Sequence, residues 1–107
     1  MMGRIQFYNW SGALIGALLS GLASTRAQAE PPQLAIQECA YCHGVDGIAR
    51  ERDVPHLAGQ NEGYLFNQMM AFRSGKRTHK EMRFEVRRLT VHEVEALAAY
   101  YASLPPR

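Results

Sequence analysis

Cysteine is scarce here: the 107 residues contain two. A framework of several disulfides, the usual staple of small exported domains, is therefore excluded. No apolar run reaches the ~20 residues that a membrane-spanning helix needs; the longest covers 10–23. Repeats and low-complexity tracts are missing, and no segment alternates apolar and polar residues as a half-buried strand would. Strong net charge is missing too, the formal total being +2. A chain so balanced carries no general cue for nucleic acid.

The N-terminal 29 residues have the three parts of a secretory signal: Arg4 in a polar start, the apolar run, then Ala27-Gln28-Ala29 ahead of Glu30-Pro31-Pro32. Cleavage after Ala29 is expected, with retention as a membrane anchor the alternative. Residues 1–29 are thus read as a cleaved signal peptide and residues 30–107 as one domain, 78 residues long. A domain of that size buries little surface and usually needs a staple.

The two cysteines stand in C-A-Y-C-H at 39–43, three apart, with His43 behind the second. C-x-x-C-H is the attachment signature of c-type haem. On a helical turn, residues i and i+3 share a face about 5–6 Å apart, so Cys39 and Cys42 can meet the two vinyl groups on one porphyrin edge. His43 is then carried beneath the ring, where an imidazole nitrogen can ligate iron. A covalently held apolar porphyrin would also supply the core that so small a domain lacks.

Three other chemistries use such cysteines. A thioredoxin-like pair expects a βαβ setting, which the patterning does not offer. A zinc site needs a second ligand pair, and His56, His79 and His92 are too widely spaced. A simple disulfide between Cys39 and Cys42 leaves His43 without a role.

Helical spacing recurs in three places. The first helix is expected from about Gln33 into the cysteine motif, with Pro31-Pro32 limiting its start. The segment 44–60 holds Gly44, Gly47, Pro55 and Gly59 and is read as loop. A second helix is expected from the N-cap residue Asn61, with Leu65, Met69 and Phe72 on one stripe and Gly75 as its stop. Thr90-Val91-His92-Glu93 has the capping-box pattern, after which Val94, Leu97, Tyr101 and Leu104 recur until Pro105-Pro106. The first helix is the expected neighbour of that last stripe.

A His/Met iron suits an electron carrier, because the thioether raises the reduction potential. Met69 and Met70 fall within a helix, where methionine is usually flexible filler. Met82 falls in a charged stretch read as loop, from which it could reach over the ring. His79 competes with it, whereas His56 and His92 are read as surface residues.

Taken together, C-A-Y-C-H-G-V-D-G at 39–47, P-H-L-A-G-Q at 55–60, Y-L-F-N-Q-M-M-A-F-R-S-G-K-R at 64–77, Met82 and L-T-V-H-E-V-E-A-L-A-A-Y-Y-A-S-L at 89–104 make the domain resemble a small bacterial class I cytochrome c. The look-alikes include halves of two-haem periplasmic carriers and cytochrome subunits of sulfide-oxidising flavoproteins. The resemblance implies an all-α fold, three main helices with loops wrapped around one covalent haem. It implies His43 as proximal and Met82 as distal ligand, with the Pro55 carbonyl accepting a hydrogen bond from the other nitrogen of His43. Leu57 would pack on the porphyrin, and Leu97 and Tyr100 would lie against the first helix.

The function so implied is one-electron transfer in the periplasm by a protein with no substrate site of its own. A relay subunit of a larger dehydrogenase or flavocytochrome is the second class, and a haem enzyme or gas sensor with an open iron face the third. Charge is sharply divided, with a net of −4 over 30–63 and +5 over 64–88. The basic 73–88 segment would suit an acidic redox partner, and membrane contact would come only through partner complexes.

Overall fold

The computed structural model describes Gly21 and residues 30–107. The expected signal, its cleavage site and the anchor alternative lie outside the described residues. Among those residues the fold is all-helical, with no strand.

The first helical segment starts at residue 33, as expected, passes through a π-helical turn, Ala35–Cys39, and runs into the short helix α1, Ala40–His43. Its start is tied down by Ala35 N–H donating to the Pro32 carbonyl at 2.9 Å. The π turn was not expected: periodicity reports apolar spacing but not the ladder's hydrogen-bond reach. Segment 44–60 follows as turns and loop.

Helix α2, Glu62–Ser74, begins where Asn61 accepts from the Tyr64 N–H and ends at Gly75, which adopts the left-handed conformation (φ 83°) that glycine takes without strain. Its stripe buries Leu65 and Phe72, with Met69 and Met70 half-buried beside them. Helix α4, Val91–Ser103, carries the full capping box between Thr90 and Glu93. Val94, Leu97, Tyr101 and Leu104 are all buried, as the spacing predicts.

Two expectations need correction. The stretch around Met82 is not loop but helix α3, Lys80–Val86. Seven residues make two turns, with Met82 and Val86 as the inward i, i+4 pair, too little sequence for a periodic signal to emerge. Lys, Glu, Met and Arg are nonetheless good helix formers, and the His79 ring nitrogen caps the start by accepting from Met82 N–H. The second correction concerns α4, whose main partner is α2 rather than the first helix, while α3 packs on α2. The first helix still joins the same core through Ala35, Leu34 and Cys39, and two tyrosines bond to the N-terminal part: Tyr100 donates to the Val45 carbonyl at 3.3 Å and Tyr101 to that of Ala35 at 3.4 Å.

Candidate haem-attachment site

Cys39, Cys42 and His43 are set by the junction between the π turn and α1. Cys39 has right-handed helical geometry (φ −72°, ψ −36°), so one regular turn separates it from Cys42. Gly44 ends the helix immediately after His43. Both thiols are free; Cys39 is half-buried and Cys42 exposed. Burial pushes the Cys39 thiol up to about 11, against a smaller lowering by the neighbouring Tyr101 hydroxyl. At neutral pH it is a protonated thiol, unlike the thiolate of a redox-active pair.

His43 is buried, and its Nδ1 lies 2.9 Å from the carbonyl oxygen of Pro55. Burial lowers its pKa below the ordinary histidine value, with the Pro55 carbonyl opposing that in part. A neutral imidazole facing an acceptor must carry its proton on Nδ1. Its Nε2 lone pair is therefore left for a metal, the arrangement in which an outer hydrogen bond orients a ligand.

The loop that supplies Pro55 is braced at several points. The Gly47 carbonyl accepts from Leu57 N–H at 2.8 Å and from Ala58 N–H at 3.1 Å, and Gly59 N–H donates to the Tyr101 carbonyl at 3.0 Å. His56, read from sequence as a plain surface residue, is exposed but takes a structural part, since its Nδ1 accepts from Ala49 N–H at 2.9 Å. Leu57 is half-buried against the core cluster.

Met82 is also half-buried and packs on the cluster that Cys39 and Leu57 touch. Its rival His79 stays exposed at the start of α3; its Nδ1 serves the Met82 N–H and lies 3.4 Å from Glu81. His92 is solvated at the start of α4.

Sequence reasoning missed Tyr101 as part of this site. Its place on the α4 stripe marked it as core, and periodicity cannot say that the hydroxyl bonds the Ala35 carbonyl at the start of the turn that carries Cys39. Burial raises its pKa well above the ordinary phenol value, so it remains a donor.

Two free thiols on one helical turn and a neutral, oriented imidazole directly behind them fit covalent haem. Comparison with known proteins agrees. The Cytochrome c family model matches residues 28–105. Cytochrome c4 of Pseudomonas aeruginosa is 40% identical over 85 residues, covering 79% of this chain and 42% of the relative. The thiosulfate dehydrogenase electron acceptor of Thiomonas intermedia is 37% identical over 95 residues, covering 88% and 42%. Among solved structures, Acidithiobacillus ferrooxidans cytochrome c4 superposes with a TM-score of 0.59 at 38% identity, covering 62% of this chain and 38% of that one. The chain thus spans less than half the length of each of these relatives. A family match over nearly all the residues from 30 onward, on a fold and a motif that both suit it, leaves one conclusion: this chain belongs to the cytochrome c family.

Proposed function

We propose that this chain is a one-electron carrier whose covalent haem c is held through Cys39 and Cys42 and ligated by His43 and Met82. The haem supplies reversible iron redox chemistry; the chain's own residues hold, orient and shield it. The observation that carries the reading is the buried His43, neutral and with Nδ1 committed to Pro55, so that Nε2 is the ligating atom. Met82 is supported by its inward place on α3 beside Val86, on the same cluster as Cys39. Leu57 offers an apolar surface to the porphyrin. Arg73 has a buried Nη1 with no hydrogen-bond partner among the described residues, and a haem propionate would satisfy it.

With both axial positions taken by protein, no vacancy is left for substrate, which makes the chain a carrier rather than an enzyme. Export by the 1–29 signal, cleaved after Ala29, would place residues 30–107 in the periplasm. No helix among the described residues is long and apolar enough to cross a membrane. The basic 73–88 segment supports an acidic redox partner.

Co-expression with haem-attachment machinery tests this. Matured protein should show a mass raised by one haem, a c-type spectrum and a start at Glu30. Met82→Ala should alter the spectrum of the oxidised state and admit carbon monoxide to the reduced one. A colourless product of bare polypeptide mass would refute the reading, and an unchanged Met82→Ala spectrum would refute the distal ligand.

A second reading, a relay subunit held within a larger complex, is favoured by Tyr41 and Val45. Tyr41 lies inside the attachment motif and Val45 two residues past it, at 94% and 74% exposure, and a neighbouring pair of that kind marks a contact surface. Sedimentation of the protein from its native source separates the two: a free carrier runs at the size of one domain.

A further inference from the structure

The proposed haem ligands leave His79 without a task, yet the connector between α2 and α3 is built around it. Gly75 turns the chain out of α2, and two residues later Arg77 folds back on the helix just left. Its backbone N–H donates to the Ala71 carbonyl at 3.1 Å, and its Nη1 donates to Gln68 Oε1 at 2.8 Å. Its guanidinium carbon stands 4.5 Å from the centroid of the Phe72 ring, within the range of a cation–π contact. The His79 ring meets the same Phe72 ring edge-on, with centroids 6.2 Å apart and planes at 65°, a geometry that aromatic pairs favour. Phe72 is buried in the core cluster, so both residues are seated on a packed part of α2.

From that seat His79 starts α3. Its backbone is extended (φ −162°, ψ 120°), as an N-cap requires, and its carbonyl accepts from Arg83 N–H at 2.9 Å. Its ring Nδ1 accepts from Met82 N–H at 3.3 Å, which places the ring's proton on Nε2. A Glu81 carboxylate oxygen also approaches Nδ1, at 3.4 Å, but a carboxylate has no proton to give and cannot replace the amide donor. The N–H groups of a helix's first turn have no partner within the helix. In α3 the one that His79 takes belongs to Met82 itself, and a helix of seven residues has few other bonds to fix where it begins.

We propose that His79 is a positioning residue for the distal ligand: braced on Phe72, it holds Met82 by the backbone N–H and so keeps the thioether on the iron. This rests on the reading of Met82 as ligand and adds what holds it there. His79 acts through Met82 alone. Without the cap the first turn of α3 frays, and Met82, third residue of the helix, frays with it.

The test uses the matured holoprotein. Carbon monoxide binds the reduced iron only while Met82 is off it, so the binding rate reports the fraction of molecules in which the ligand is released. His79→Ala should bind carbon monoxide about fivefold faster, the factor that loss of an ordinary N-cap gives, and should weaken the thioether-to-iron absorption band of the oxidised state. His79→Asn, which keeps a capping acceptor, should return the rate to within about twofold of the wild type and restore the band. Thr90→Ala removes the cap of α4, a helix that carries no ligand, and should leave both readouts unchanged. An unchanged rate and band in His79→Ala, a lack of rescue by asparagine, or an equal acceleration in Thr90→Ala would overturn the proposal. Failure of the Met82 reading is separable, because Met82→Ala would then leave the oxidised spectrum as it is in the wild type, whatever the His79 variants do.

Discussion

Replacing Gly47 by alanine tests how the loop presents Pro55 to His43. Gly47 has φ +71°, and a Cβ built there would stand 2.9 Å from Ala58 N, 3.1 Å from Ala58 Cβ and 3.2 Å from Ala58 Cα. The left-handed conformation costs a side-chain-bearing residue about 1–2 kcal/mol. The overlap adds about 1–3 kcal/mol, the usual cost of overpacking. Relief by backbone movement is blocked, because the Gly47 carbonyl is already bonded to the N–H groups of both Leu57 and Ala58. The expected loss is therefore about 2–5 kcal/mol, a large share of a small domain's ~5–15 kcal/mol. Gly63→Ala is the internal control: it lies in the first turn of α2 with its nearest new neighbour 3.4 Å away. There alanine should be neutral or stabilise by about 0.5–1 kcal/mol. Guanidinium unfolding of the matured proteins, with the slope checked for constancy, measures both. A loss under ~1 kcal/mol at Gly47 would show that the loop can yield, and the account of how it holds Pro55 would fall.

Leu97→Ala, at a nearly sealed position where α4 meets the core, should cost about 2–5 kcal/mol in the same assay. Tyr101→Phe should cost only about 1 kcal/mol, since the Ala35 carbonyl keeps its bond from Ala40 N–H within the π turn; a loss above ~3 kcal/mol would mean that the hydroxyl supports more than that one acceptor. Thr90→Ala should cost about 1 kcal/mol at neutral pH by loss of the cap. The Thr90 backbone N–H and hydroxyl hold the Glu93 carboxyl below the ordinary glutamate value, so its stabilisation is complete above that value and is lost as pH falls through the lowered one. The Thr90→Ala deficit should therefore shrink in acid; a deficit that stays constant with pH would exclude the carboxylate's part in the cap.

Local chemistry determined much of this protein before any fold was known. The C-x-x-C-H spacing names its cofactor because one helical turn sets the distance between the thiols. The capping box and the four-residue stripe of α4 were legible because a helix of thirteen residues repeats its period several times. Helix α3 was not, since two inward residues make no period and its cap is an unusual histidine. Tertiary structure alone decided the rest. It turned α4 onto α2 and set the Tyr101 hydroxyl beside Ala35 across sixty-six residues, whereas the bond from His43 to the Pro55 carbonyl is one the family resemblance already implies. Contacts between distant segments depend on where whole elements pack, and spacing along a chain carries no record of that.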